Sequence, residues 1–147
     1  MTSIETEILI SASPAKVWCV LTNLKAYHEW NPFIVVAHGE VHQGTRLTNT
    51  IQLQSGKQQT FKPKVLIAKV NQEFRWLGRF ILPGLFDGEH YFRLEPTASG
   101  ATRLVHGEVF RGVLVSLIMN SIKEQTRKGF EAMNKALKDR VESQPDG

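Results

Sequence analysis

The chain has a single cysteine, Cys19, among 147 residues, so no internal disulfide can form. Lying in an apolar helical pattern, this cysteine is expected to be a small core residue. Long hydrophobic runs are absent too. The longest, Gly112 to Met119, is short and interrupted by Ser116, so no stable membrane insertion is expected. The N-terminal Met1-Thr2-Ser3-Ile4-Glu5-Thr6-Glu7 has no basic segment followed by an apolar one, so no secretory signal is expected and a cytoplasmic location is the default. There is no phosphate loop, dinucleotide fingerprint, nucleophile elbow or pair of catalytic carboxylates. Ligand-type clusters with zinc-site spacing are missing, so neither a metal nor another cofactor is expected. A basic stripe with exposed aromatics is also missing, which argues against a nucleic-acid partner.

What is present has the balance of a folded protein rather than a disordered one, with 41% hydrophobic and 22% charged residues. The length suits one domain covering residues 1–147. The net charge of +4 hints weakly at anionic partners. Much of the basic charge, however, lies on the last helix, interleaved with acids. Glu124 precedes Lys128 by four residues, as Glu131 precedes Lys135, the favourable order on a solvated helix face.

Periodicity orders the chain. Ile4 to Ile10 alternates, with Ile4, Thr6, Ile8 and Ile10 on one face, and reads as a strand. Ser13-Pro14 is an N-cap followed by proline at the first helical position, opening a short helix with Val17, Trp18, Leu21 and Leu24 on its apolar side. Asn23 is placed to cap a second short helix that must end before Pro32. Strands are then expected over Phe33 to Gly39, Arg46 to Leu53, within Gln58 to Val70, and over Phe74 to Leu82, Phe86 to Leu94 and Thr102 to Phe110, with turns at Ser55-Gly56-Lys57, Pro83-Gly84 and Pro96 to Gly100. Such short connections imply antiparallel pairing. From Val113 to Glu142 the apolar period becomes helical, and the tail from Ser143 is expected to fray. The predicted architecture is α+β: a curved antiparallel sheet of six or seven strands around a long C-terminal helix, with two short helices after the first strand. A bent sheet cannot close fully on a straight helix, so a gap between them is expected.

Ala12-Ser13-Pro14-Ala15-Lys16-Val17-Trp18, then Leu21-Thr22-Asn23 and Trp30-Asn31-Pro32-Phe33, resembles the START-like (SRPBCC) superfamily, also called the polyketide cyclase/dehydrase group. The segment Arg127-Lys128-Gly129-Phe130-Glu131-Ala132-Met133-Asn134-Lys135-Ala136-Leu137-Lys138 is similar to the closing helix of its small bacterial members. The resemblance implies a helix-grip fold with a ligand cavity between sheet and helix. It leaves open lipid or hormone binding, cofactor-independent polyketide cyclisation, and other roles.

Strand parity puts His90 on the same face as Phe92 and Leu94, and puts His106 and Glu108 with Leu104 and Phe110. Counting back from a tight hairpin through Pro96 to Gly100 sets His90 opposite His106, with Glu108 two residues further on. Counting back from Pro83-Gly84 sets His90 opposite Gly78, whose missing side chain leaves room beside the imidazole. A His-His-Glu group in an apolar cavity can hold a ligand's polar head, act as an acid–base set, bind a metal, or satisfy itself as a buried network. Trp30, Trp76, Phe80, Phe92, Phe110, Ile118 and Ile122 are candidate cavity walls or plain core. Asn49 interrupts an apolar strand face as a cavity polar group or a satisfied amide. Trp18 is expected in the core, and Gly129 at a close helix approach. These residues point to a hydrophobic or aromatic small molecule as partner. A cyclase, dehydratase or lyase using His90, His106 and Glu108 is the rival reading, and a protein-interaction module the third. No protein partner is specified.

Overall fold

The first strand, β1 (Thr2–Ile10), turns into α1 (Pro14–Leu21) through the expected cap: the Ser13 hydroxyl accepts the Lys16 N–H at 3.3 Å and proline follows it. The computed structural model describes residues 2–80 and 82–145. Val17, Trp18, Val20 and Leu21 fill the inward side of α1. Trp18 meets the Phe74 ring edge-on at 6.3 Å. Cys19 is exposed rather than buried, because at about 100° per residue it points away from Val17 and Leu21. A 3-10 turn at Leu24–Ala26 leads to α2 (Tyr27–Trp30), and Asn23 precedes that turn without capping it through its side chain.

The described residues form eight strands, where six or seven were expected. Beyond β1 they are β2 (Ile34–His38), β3 (Thr48–Gln52), β4 (Gln58–Phe61), β5 (Lys64–Lys69), β6 (Glu73–Arg79), β7 (Asp87–Pro96) and β8 (Thr102–Arg111). The extra strand comes from Pro63, which has no N–H to donate and splits the expected Gln58 to Val70 strand in two. Strand β6 ends earlier than expected, because Phe80 already bends towards Phe86 and donates its N–H to the Phe86 carbonyl at 3.1 Å. Ile81, in that expected strand, lies outside the described residues.

All pairings are antiparallel, in a five-stranded sheet ordered β1-β8-β7-β6-β5 and a three-stranded sheet β2-β3-β4. Backbone bonds Leu47 N to Pro63 O and Val65 N to Thr45 O, at 2.9 and 2.8 Å, stitch the sheets at one corner.

One unbroken helix, α3 (Val115–Ser143), crosses the concave side. Gln144 follows it and its carbonyl accepts Lys16 Nζ at 2.7 Å, while the tail's last residues, Asp146 and Gly147, lie outside the described residues. No helix among the described residues is long and apolar enough to cross a membrane. The buried face of α3 is dense from Thr126 through Gly129, Phe130, Met133, Asn134 and Leu137 to Val141. Between Met119 and Thr126 it has no buried residue, and Ile118 and Ile122 are only partly covered. The helix is therefore closely packed along its C-terminal half, whereas in its N-terminal half Val115 and Met119 are buried but the stretch around Ile118 and Ile122 is left partly open.

Gly129 makes the docking possible. A Cβ there would lie 2.5 Å from Cδ1 of Phe33, which packs edge-on against Phe130 at 5.4 Å. In an unpacked helix, alanine for glycine gains about 1 kcal/mol. Here Gly129→Ala should instead lose about 1–2 kcal/mol, because the Phe33 ring must move. Urea denaturation measures this, and a net gain would show that Phe33 yields freely.

Candidate functional site

Strand pairing brings the polar candidates together with a register different from the expected one. His90 pairs with Glu108 and Trp76, while His106 pairs with Phe92 and Gly78 with Gly88. Each expected pairing is displaced by two residues. The β7–β8 connection is wider than a tight hairpin: Pro96 pairs with Thr102, and Thr97 donates to the Ala101 carbonyl at 2.9 Å, with Gly100 at φ +86°. A shift of two preserves side-chain facing, so His90, His106 and Glu108 all point inward. The room beside His90 is not at Gly78. A Cβ at Gly78 would meet Phe61 at 3.2 Å, whereas one at Gly88 would come within 2.2 Å of Glu108 Oε2. Gly88 is thus the glycine that admits the carboxyl group.

The three side chains form part of a longer chain of hydrogen bonds. Glu108 Oε1 lies 3.1 Å from His90 Nδ1, and His90 Nε2 lies 2.7 Å from His106 Nε2. His106 Nδ1 lies 2.8 Å from Asn134 Oδ1, Asn134 Nδ2 donates to Thr6 Oγ1 at 2.8 Å, and Thr6 donates to the His106 carbonyl at 2.9 Å. The direction is set at the far end. A backbone carbonyl only accepts, so Thr6 spends its proton there and receives from the Asn134 amide. The Asn134 oxygen then faces His106 Nδ1, which must carry a proton. A neutral His106 leaves Nε2 bare to accept from His90 Nε2–H, and His90 Nδ1 in turn accepts from Glu108. At 2.7 Å the two facing nitrogens share a hydrogen; an ion bound between them would need about 4 Å.

Aromatic rings keep this chain dry. His90 stacks on Trp76 at 4.8 Å, and His106 lies between Phe92 at 4.3 Å and Phe130 at 4.4 Å. Burial pushes the Glu108 carboxyl from 4.5 up to about 8 and the His90 imidazole from 6.5 down to about 3. His106 is also pushed well down, by burial first and by His90 second. Burial favours neutral imidazoles beside a protonated carboxyl, and the hydrogen-bond chain accommodates that state without an unpaired link.

Glu108 is also where the chain meets open space. A cavity of about 220 Å³ lies between the N-terminal half of α3 and the sheets. Of the candidates, Phe80, Glu108, Phe110, Ile118 and Ile122 line it, joined by Phe33, Ile51, Leu53, Gln59, Phe86 and Thr126. It continues outward past Ile51, Leu53 and Ile122 into a groove that Ser55, Lys57, Gln58 and Gln125 also border. A larger depression of about 700 Å³ near Asn71 and Pro96 is open to solvent and holds none of the cluster.

The remaining candidates lie elsewhere. His90, His106, Trp76 and Phe92 are buried behind Glu108. Asn49 sits one inward position beyond Ile51, past the end of the cavity, and its Oδ1 is buried with no partner among the described residues. Trp30 packs edge-on against Tyr27 at 5.2 Å and borders a surface depression with Cys19 and Arg140, beside the other end of α3. Thr6, Gly88 and Asn134 were not singled out for the site. Asn134 was signalled by a polar side chain set among Phe130, Met133 and Leu137 on the buried stripe.

The family described as polyketide cyclase/dehydrase and lipid transport matches residues 1–142. No curated protein matches the chain. Among solved structures, the chain resembles the Zhui aromatase/cyclase from Streptomyces sp. R1128, with TM-score 0.77 and 15% identity over 96% of this chain and 93% of that one. It also resembles a START superfamily protein from Mycobacterium smegmatis, with TM-score 0.72 and 19% identity over 95% and 97% of the two chains. A third is protein CV1439 from Chromobacterium violaceum, with TM-score 0.74 and 22% identity over 98% of both chains. At such identities the likeness establishes the fold.

The raised Glu108 has a consequence for stability. Between its ordinary 4.5 and its folded value near 8, the folded state holds a proton that the unfolded state releases. Its contribution is complete below 4.5 and is lost as pH rises through about 8. The histidines act oppositely: their contribution is complete above 6.5 and is lost as pH falls towards 3. Glu108→Gln removes the first dependence. Relative to wild type it should gain on the order of 1 kcal/mol of stability per pH unit between about pH 5 and 8. Urea denaturation at several pH values reads this directly, and a pH-independent difference would mean that the folded protein holds Glu108 ionised.

Proposed function

The chain belongs to the polyketide cyclase/dehydrase and lipid transport family, and on that footing we propose that it binds a hydrophobic or aromatic small molecule in the cavity beneath the N-terminal half of α3. The observation that carries this reading is an apolar cavity with one carboxyl group, Glu108, at its inner wall, where burial favours the protonated form. Ligand sites are mostly apolar with a few placed polar groups. The volume of about 220 Å³ is below the roughly 300 Å³ of common drug-sized sites, so a ligand of one or two rings fits without movement of the walls.

Catalysis is the second reading, and one observation favours it: Glu108 carries a proton whose pKa near 8 suits a general acid at neutral pH. A cyclisation or dehydration also needs a base to take a proton from carbon. The candidate bases, His90 and His106, are buried behind Glu108, and burial makes both weakly basic. Binding is therefore the reading favoured.

Ile122→Trp should fill the cavity from the helix side while leaving the docked C-terminal half of α3 intact. Naphthalene-sized aromatics should raise the melting temperature of the wild type through linkage, and the variant should bind them about tenfold more weakly or worse. Thermal unfolding with and without the probe checks both. The reading fails if a broad aromatic and lipid panel shifts nothing, or if Ile122→Trp binds as well as wild type.

A further inference from the structure

We infer that the buried hydrogen-bond chain fixes the polarity of the cavity's polar group, so that Glu108 meets a ligand as a neutral acceptor and the site selects uncharged aromatics carrying a hydroxyl or N–H donor over carboxylates. His106, held by Asn134, is the positioning residue that imposes this polarity from behind the cavity wall. The inference rests on the binding reading above and names the ligand chemistry that this reading leaves open.

The two oxygens of the Glu108 carboxyl group have different surroundings. Oε1 faces His90 Nδ1 at 3.1 Å, and burial holds His90 neutral; its one ring proton goes to His106 at 2.7 Å, so Nδ1 accepts. The hydrogen of Glu108 is therefore committed to Oε1. Oε2 is left as a carbonyl oxygen in the space that Gly88 keeps open, and no described residue donates to it. Oε2 opens on the cavity, so an apolar ligand that covers it leaves an acceptor without a donor, at a cost of about 1–3 kcal/mol that a ligand hydroxyl avoids.

A carboxylate ligand would meet the opposite situation. It brings acceptors and a charge but no donor. The Thr126 hydroxyl, the nearby alternative donor, is already given to the Ile122 carbonyl at 2.9 Å. Gln59 lines the cavity too, but it is an exposed residue. The titratable groups facing Glu108 are His90 from β7 and, through it, His106 from β8, both held neutral. The α3 side presents Ile118, Ile122 and Thr126, and the β3–β4 side presents Ile51, Leu53 and Gln59, with no cation among them. Lys57 borders the outer groove, but the cavity lining itself carries no cation, so the net charge of +4 does not extend to it.

Three probes of nearly equal size separate the possibilities at neutral pH: naphthalene, 1-naphthol and 1-naphthoate, titrated by calorimetry. Wild type should bind naphthol about tenfold more tightly than naphthalene, and naphthoate more weakly than either. Glu108→Gln should keep that order, since its amide N–H can donate to His90 and its carbonyl can face the cavity. Glu108→Leu should bring naphthol down to the level of naphthalene. If the chain ran in the other direction, the glutamine would turn its N–H to the cavity and naphthoate would gain. That outcome, or naphthoate equal to naphthol on wild type, overturns the inference while leaving aromatic binding intact. Failure of all three probes overturns the binding reading and this inference with it.

The positioning role has its own readout, independent of any ligand. The carboxyl carbon of Glu108, followed by carbon-13 NMR, should report a protonated acid at pH 7 in the wild type; a carboxylate there overturns the inference without recourse to a variant. In His106→Phe, His90 loses its acceptor and is free to turn a proton towards Glu108, so the carboxyl midpoint should fall. An unchanged midpoint in a folded variant removes His106 from this role.

Discussion

Polar side chains buried among aromatic rings must find partners, and five hydrogen bonds run without a break from Glu108 Oε1 to the His106 carbonyl. The chain draws on β1 through Thr6, β7 through His90, β8 through His106 and Glu108, and α3 through Asn134. Removing any member leaves another buried group unsatisfied, at a cost of about 1–3 kcal/mol. The chain therefore fixes where along its length α3 meets the sheet. With Asn134 tied to β1 and β8 and Gly129 admitting Phe33, the C-terminal half of the helix is drawn in. In its N-terminal half the stretch around Ile118 and Ile122 stays only partly covered. The cavity and the polar chain are two results of the same docking.

The dryness of the chain and the protonation of Glu108 are likewise one effect seen twice. Trp76, Phe92 and Phe130 stack on the imidazoles and exclude water from them. A low local dielectric penalises a charge on either ring or on the carboxyl group. The lowest-energy state keeps every member neutral, and the directional chain from Thr6 allows that state with no unpaired link. Hydrogen-bond geometry sets the tautomer of His106, and burial, by holding His90 neutral, puts the proton on Glu108.

Much of this was legible in the sequence because facing repeats every two residues in a strand. Counting from the turns misplaced His90 against both neighbours, yet a slip of two could not move it to the other face. Which residues touch was less legible. Pairing depends on where a turn closes, and the hydrogen bonds around Thr97 and Gly100 that widen the β7–β8 connection leave no clear mark in the residue pattern. The strand count failed at Pro63, where a blurred alternation was the trace of a chain leaving one sheet for another. Trp76 and Phe92 were grouped with the cavity by face alone, and parity cannot tell a residue under the floor from one on its surface. Cys19 was misjudged because an apolar neighbourhood in sequence was taken for an inward position, although the helical angle from Val17 and Leu21 already turns it outward. Asn134 was readable in principle: a polar residue on a buried helical stripe needs a partner, and the open question was which strand would supply it.

Glu108 belongs to both halves of the molecule, which gives the cavity a property that an apolar pocket lacks. A donor placed on Oε2 would polarise the carboxyl group and strengthen the O–H bond to His90, and cooperative chains pass such strengthening onward. That path runs through His106 and Asn134 to Thr6, the contacts that seat α3 on β1. An apolar ligand of the same size would fill the cavity and touch Ile118 and Ile122 without reaching this path. Ligands with equal contact area can thus differ in how strongly they consolidate the helix–sheet junction, and the difference originates in the few ångströms between Gly88 and the carboxyl oxygen it accommodates.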